Sequence, residues 1–483
     1  MVLITPAYPN PKRERGRIAR QCRIPVRPRS RFGLGTTLLC LLFAQTTFAS
    51  EPVQEKADSA AARGYQYLTQ KAYLPADFDQ ETFDSLWKVW PKKLKAQAEQ
   101  ASEDERRELA FSRYGLNGRP EDPTKPLQYV VDAKGNWTMN CFSCHGGKIL
   151  GETHPGLPNS HYALETLTAD VRKTKLLMRK PMSRMDVGSL IVPLGKTNGT
   201  TNAVMFGVAL MAYRDPELNF YPERSPPKMV HHDMDAPPWW HFKKKKHLYA
   251  DAFAEKGHRA LMQFMMVQEN GPEEFKEWES DYEDVYAFLE SVEPPKYPFD
   301  INHDLASTGK AVFNDNCSHC HGTYGEDASY PNKLIPLEEI GTDTVRHGAL
   351  SKTDRQAYHK SWFAHFGDHD TRFEPDGYVA PPLDGIWASA PYFHNGSVPT
   401  LAQVLDSSTR PKIWKRSENK YDQDRVGLLV EEFDRLPSSL RRADEVRQHF
   451  NTSRFGKSEK GHTFPDELSG GEKRAVLEYL KTL

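Results

Sequence analysis

Two pentapeptides carry the most specific chemistry in this chain: Cys141-Phe142-Ser143-Cys144-His145 and Cys317-Ser318-His319-Cys320-His321. In each, two thiols lie about one helical turn apart and an imidazole follows at once. Thiols so placed add to the two vinyl groups of a haem as thioethers, and the adjacent histidine takes the iron as proximal ligand. Two other chemistries compete for this spacing. Zinc needs four ligands per site, and each motif offers three with awkward adjacency. A thioredoxin-like dithiol needs a βαβ pattern nearby, which the sequence lacks. Of the six cysteines, Cys22 and Cys40 fall in an N-terminal leader and the other four all belong to the motifs. A disulfide framework would scatter them, so it is disfavoured. The expectation is two covalently bound haem c groups, attached at Cys141, Cys144, Cys317 and Cys320, with His145 and His321 on the irons.

The elements that must position these motifs can be read around them. Residues 1–32 are basic and proline-rich, Gly33 to Ala49 is an apolar run, and Ala49-Ser50 leads into Glu51-Pro52. This order predicts a secretory signal over residues 1–50 and a periplasmic or otherwise exported protein. A retained membrane anchor is the weaker alternative, because Thr36, Gln45, Thr46 and Thr47 interrupt the run. Basic and acidic side chains nearly cancel, 64 against 65, which leaves no cationic face for nucleic acid. The 35 prolines and 31 glycines suggest short helices between long loops.

Each motif sits in a segment that ends in an amphipathic helix. Tyr282, Val285, Tyr286 and Leu289 make the first stripe, which stops at Glu293-Pro294-Pro295-Lys296-Tyr297-Pro298. Ser469 and Glu472 read as a capping box that opens the second helix, with Val476, Leu477 and Leu480 as its stripe. Leu305, Gly309, Val312 and Phe313 form a matching stripe leading into Cys317, with Gly309 small enough to allow a close helix crossing. The order helix, motif, loops, helix resembles a small class I cytochrome c. The expected fold is mainly α: a helical extension over 51–109, then cytochrome c-like domains over 110–295 and 296–483. Tyr65, Tyr67, Leu68, Phe83 and Leu86 supply the packing residues of the extension.

From the second motif onward the sequence resembles the di-haem cytochrome c peroxidase superfamily, and more closely its rubber oxygenase-like branch. The residues that carry this run from Tyr330-Pro331-Asn332 to Gly341-Thr342-Asp343 and from Pro382-Leu383-Asp384-Gly385 through Pro391-Tyr392-Phe393-His394-Asn395-Gly396 to Leu401. The tail Asn451 to His462 and the linker at Glu293–Pro298 match as well. The resemblance covers roughly residues 130–483 and is weakest between the motifs. It implies a reactive N-terminal haem that meets peroxide or oxygen, and a C-terminal haem with two protein ligands that passes electrons from a small redox protein or other donor.

The same resemblance nominates further residues. His462 matches the tail position that supplies the second axial ligand in the oxygenase-like branch; its alternative is a surface-loop histidine. His394 fits packing or a hydrogen bond near a propionate better than ligation, and His319 points away from its own iron. His161 follows His145 by sixteen residues, an interval similar to that of a removable distal histidine in peroxidases. The competing reading is a loop histidine at the haem edge, and His154 is a weaker candidate. Trp239, Trp240 and Phe253 sit where this branch places aromatics around the reactive haem, and they serve equally as core. Glu152 and His161 are the candidates for handling protons. The run Lys243–Lys246 reads as a solvated face or as a dock for an acidic redox partner. Three functions stay open: a peroxidase-type oxidoreductase first, then an oxygen-dependent oxygenase, then a plain electron carrier. A bridging calcium is compatible with the resemblance.

Overall fold

Two crossed helix pairs bracket the two motifs. The computed structural model describes residues 59–192, 194–225 and 229–483; the expected signal over 1–50 lies outside the described residues. Before the first motif runs the helix Ala60–Gln70, which the sequence reading assigned to the N-terminal extension, and it crosses the helix Glu279–Ser291. Before the second motif, His303–Asn316 crosses the C-terminal helix Gly470–Leu480. Both crossings depend on a glycine. A Cβ on Gly64 would lie 2.1 Å from the Asp284 carbonyl oxygen, and one on Gly309 would lie 1.9 Å from that of Ala475. Only a residue without a side chain lets two backbones approach so closely. Around the first crossing, Arg63 grips Asp284 with two hydrogen bonds of 2.7 and 2.8 Å. The capping box at Ser469 and Glu472 is present, with the Ser469 amide donating to the Glu472 carboxylate at 2.8 Å.

The expectation of a mainly α chain built as two class I cytochrome c-like domains is corrected by the strand content. The fold is mixed α/β, 42% helical and 13% strand, with several small sheets. Asn136–Met139 lies between Phe78–Asp79 and Tyr129–Val131, and all pairings are antiparallel. The hairpin Gly146–Ile149 with Glu152–Pro155 follows the first motif directly. Leu334–Pro336 pairs with Gly377–Val379. The long strand Ile413–Asp422 pairs with both Gly427–Phe433 and His449–Asn451. Most of these strands have four residues or fewer, too short for an alternating pattern to stand out in sequence. The long strand escapes notice because Lys415, Arg416, Glu418 and Lys420 break its apolar periodicity.

One apolar core runs through both crossings, from Leu68 through Trp239, Trp240, Tyr282 and Phe313 to Trp387, Val476 and Leu480. A second fills the space beneath the first sheet, where Trp137 stacks on Phe83 at 4.3 Å between ring centres. No helix among the described residues is long and apolar enough to cross a membrane.

Candidate haem-binding site

Each motif is a single helical turn held by backbone carbonyls and by side chains remote in sequence. At the first, the Asn140 side chain accepts from the Phe142 amide at 3.0 Å, and Phe142 is buried against Trp239 and Tyr65. Asn117 and Gln128 both donate to the Gly146 carbonyl at 2.8 Å, which anchors the exit of the turn. At the second, Cys317 ends the helix His303–Asn316, and Tyr324 donates to the His321 carbonyl at 3.0 Å. All four thiols are free, so neither motif is a disulfide.

The proximal histidines are oriented in the same way. His145 Nδ1 lies 3.0 Å from the Pro237 carbonyl oxygen, and His321 Nδ1 lies 2.8 Å from that of Pro381. A carbonyl can only accept, so Nδ1 carries the proton and Nε2 is left as the free lone pair. Burial holds His145 down at about 4 and also lowers His321, which favours the neutral form of both imidazoles. The His145 ring stacks on Trp239 at 4.8 Å.

His462 stands opposite His321, with ring centres 6.0 Å apart. Two imidazoles on opposite faces of one iron are separated by about 6 Å between centres, from two metal–nitrogen bonds of about 2 Å plus the ring radii. The loop that carries His462 is strapped in place. Its amide donates to the Ile340 carbonyl at 2.6 Å, and Arg410 donates to the carbonyls of Glu459, Gly461 and His462. Gly461, at φ 82°, packs so closely on Gly341 that a Cβ there would meet backbone at 2.2 Å. Burial depresses the His462 pKa to about 3.

Both motifs and His462 line one cavity of about 1130 Å³. Ordinary small-molecule pockets span about 300–1,000 Å³, so this space suits a larger occupant. Free thiols, oriented imidazoles and an apolar wall that includes Leu68, Val204, Phe206, Leu261 and Phe264 fit a covalently attached porphyrin. Among the described residues no cluster of three or more His, Cys, Asp or Glu side chains is arranged to hold a metal ion by itself.

The remaining sequence candidates fall in varied places. His161 is half-buried, with its pKa down at about 3 from desolvation and the nearby Arg416, and it is absent from the cavity wall. Its carbonyl instead packs against Gly115. His154 and Glu152 face each other at 3.8 Å on the hairpin beyond the motif, where Glu152 is exposed. Trp239 lies on the wall beside His145, on the side of its Nδ1 partner. Phe253 is core, stacked on Tyr249 at 4.9 Å and away from the wall. His394 lines the cavity and packs on Tyr378 at 4.4 Å, and its Nε2 has no partner among the described residues. His319 is exposed.

The lysine run divides by residue. Lys243 pairs with Glu293, and Lys244 with Asp384 at 2.7 Å. Lys246 is exposed. Lys245 lines the cavity without an ion-pair partner among the described residues, and burial pulls its pKa down to about 8. Asp235 also lines the cavity, and burial pushes its carboxyl well above the usual range against the opposing pull of Arg416. Sequence reasoning read Lys245 only as part of a solvated or docking run, and it missed Asp235, Arg410 and the carbonyls of Pro237 and Pro381, which left no local signal.

A short segment connects the two motifs. Trp239 touches His145, whereas Trp240 Nε1 and His241 Nε2 meet the Asp384 carbonyl at 2.6 and 2.9 Å. Asp384 lies three residues beyond Pro381, the partner of His321. One stretch of backbone thus holds the His145 ring at one end and meets the Asp384 carbonyl at the other.

Comparison with known proteins agrees with this chemistry over part of the chain. Residues 377–415 match the profile of the family described as RoxA-like, cytochrome c-like. The match supports the rubber oxygenase-like cytochrome c branch and lends nothing to the wider di-haem peroxidase superfamily. A cytochrome c-like domain of this kind is a haem-binding one, with its haem c covalently bound. Two relatives come from Sinorhizobium fredii (strain NBRC 101917 / NGR234). The uncharacterized protein y4iM is 32% identical over 172 residues, 30% of this chain and 38% of its own. The uncharacterized protein y4iJ is 28% identical over 258 residues, 40% of this chain and 41% of its own. The chain therefore spans about two fifths of the length of these curated relatives.

Proposed function

We propose that this protein is an exported di-haem c-type cytochrome that works as a haem oxidoreductase, with a reactive site at Cys141–His145 and an electron-transferring site at Cys317–His321. The observation that carries the reading is an asymmetry. His462 faces His321 at 6.0 Å, whereas no imidazole is paired with His145 in this way among the described residues. A covalently held haem supplies an iron that exchanges single electrons and, where its sixth position is free, binds oxygen or peroxide.

The residues of the chain do the rest. His321 and His462 close the second site, which suits it to electron transfer alone. Pro237 and Trp239 fix the ring of His145 from behind. Trp239 stacks on His145 and Trp240 donates to the Asp384 carbonyl, three residues from the Pro381 carbonyl that holds His321. Lys245 faces the cavity as a donor for the carboxylates that a haem carries.

A peroxide reading asks for an acid–base group beside the open site, and the sequence candidates His161 and Glu152 lie off its wall. The cavity wall includes Met185, Val187, Val204, Phe206, Leu210 and Phe264, and it also carries Asp235, whose carboxyl pKa is raised by burial. The apolar part of that wall suits a second reading, in which oxygen is the oxidant and an apolar organic molecule the substrate, while Asp235 is the acid–base candidate for the first. The deciding experiment uses protein matured with a c-haem assembly system. Its mass should include two added haems, and absorption and EPR spectra should show one low-spin haem indifferent to cyanide and one that binds it. Two low-spin haems that both ignore cyanide, oxygen and peroxide would leave a plain electron carrier. Peroxide turnover with a reduced donor would then separate the peroxidase from the oxygenase, which consumes oxygen.

A further inference from the structure

The core beneath the first sheet is largely aromatic, and one of its residues reaches the cavity. Tyr162 is 5% exposed and lines the wall together with Ser143 and Cys144 of the first motif. Its hydroxyl lies 3.1 Å from that of the fully buried Tyr129 and 3.5 Å from Met139 Sδ. Tyr129 packs on Trp137 at 5.5 Å between ring centres, and Trp137 Nε1 donates at 2.8 Å to the side chain of Gln80, an exposed residue. Three oxidisable rings thus run in contact from beside Cys144 to the surface.

Packing by itself does not call for the two hydroxyls. Phenylalanine fills such space without burying a polar group, as Phe78, Phe83 and Phe111 do in this same core. Other tyrosines on the cavity wall are placed differently. Tyr378 and Tyr392 donate to the carbonyls of Asp343 and Ile386 at 2.8 and 3.0 Å, which hold their protons but cannot pass them on. The Tyr282 hydroxyl has no hydrogen-bond partner among the described residues. Tyr162 instead meets a second phenol.

Oxidising a phenol removes an electron and its proton together. Burial pushes both phenols above the ordinary tyrosine range, so at neutral pH each still has its proton to lose. An acceptor stands nearby. Asp77 and Tyr129 line one small cavity of about 10 Å³, room for a single water. Burial raises the Asp77 carboxyl to about 7, with Lys175 pulling it down and Asp186 pushing it up, so it is more basic than an ordinary carboxylate. One bridging water brings that carboxyl within proton-transfer reach of the phenol pair.

We propose that Tyr162 and Tyr129 form a one-electron redox site serving the first motif, with Asp77 as proton acceptor and Trp137 as the outlet to the surface. The proposal rests on the reading of the first haem as the reactive one. Its use follows from the electron count. Reducing hydrogen peroxide to two waters takes two electrons and two protons, whereas the second haem stores a single electron. The tyrosine pair gives the other. One phenol loses an electron to the oxidised site and its proton to Asp77, leaving a neutral phenoxyl radical, and solvent supplies the two protons that complete the waters.

The test is rapid freeze-quench EPR on mature haem-loaded protein, with the second haem reduced, mixed with an equimolar amount of hydrogen peroxide. A free-radical signal should appear, and it should narrow in protein grown on ring-deuterated tyrosine. Tyr162→Phe and Tyr129→Phe should each lose it while keeping the haem spectrum, and Tyr282→Phe should retain it. Asp77→Asn should slow its appearance by roughly a hundredfold. Trp137→Phe should lengthen its lifetime. A haem absorption change with peroxide but no radical overturns the redox site and leaves the reactive first haem standing; a haem indifferent to peroxide overturns both. The proposal also falls if the signal survives Tyr162→Phe or is lost in Tyr282→Phe. An unchanged rate in Asp77→Asn, or an unchanged lifetime in Trp137→Phe, overturns it as well.

Discussion

Replacing Gly309 with alanine tests the geometry that holds the second motif. The added Cβ would lie 1.9 Å from the Ala475 carbonyl oxygen. Carbon and oxygen settle at about 3.3 Å, so the helices His303–Asn316 and Gly470–Leu480 must part by about 1.4 Å. The obstacle is backbone and has no rotamer to change. A gap of even about 1 Å forfeits roughly a quarter to a half of each van der Waals contact across the interface, here those of Phe313, Val476 and Tyr479. Overpacking of this kind costs about 1–3 kcal/mol, and the upper end applies. Alanine returns about 1 kcal/mol in helix propensity. The net expectation is a loss of about 2 kcal/mol. The helix ends at Cys317, so on the proposed reading the same displacement should broaden or shift the spectrum of a haem attached there. Gly188→Ala is the internal control: it is also helical, but nothing lies within 4 Å of its would-be Cβ. It should stabilise by about 0.5–1 kcal/mol, because only the entropy term remains. Urea denaturation followed by circular dichroism measures both. Equal signs for the two substitutions would refute the close-crossing argument. Gly64→Ala, at 2.1 Å from Asp284, should behave as Gly309→Ala does.

Other expectations follow from the same contacts. His462→Ala should turn the second haem from low-spin to high-spin and make it bind cyanide; an unchanged EPR spectrum would remove His462 from the iron. Asp251 lies fully buried between Arg346 at 2.9 Å and Arg355 at 3.1 Å. Asp251→Ala leaves two guanidinium groups without their anion and should cost about 3–5 kcal/mol by urea denaturation; a loss under about 1 kcal/mol would mean that the site relaxes or admits water. At Asp79 burial works to raise the pKa, but the Lys180 ammonium at 2.7 Å and the Thr82 amide at 2.8 Å outweigh it and hold the carboxyl at about 2. A depressed carboxyl stabilises above its unfolded pKa of about 3.9 and loses that contribution as pH falls through 2. Because Asp79 is well exposed, screening limits the gain to about 1 kcal/mol. Asp79→Ala should therefore cost about that much at pH 7 and clearly less near pH 2, where half the carboxyls are protonated, and an equal cost at both would contradict the ionic origin.

The sequence by itself carried the proposal of haem attachment, because thioether formation depends on residues a few positions apart. Cys141 with Cys144 and Cys317 with Cys320 are legible for that reason, as are the capping box at Ser469 and the small residue at Gly309. Short strands such as Phe78–Asp79 left no periodic trace and were missed. Tertiary structure alone set which carbonyls accept from the proximal histidines, paired the helix Ala60–Gln70 with Glu279–Ser291, and turned Lys245 inward while its neighbours found carboxylates. It also brought His462 across from His321 and kept His161 off the cavity wall. Those outcomes depend on side chains far apart in the chain competing for burial and for hydrogen-bond partners. No local spacing encodes that competition; packing resolves it.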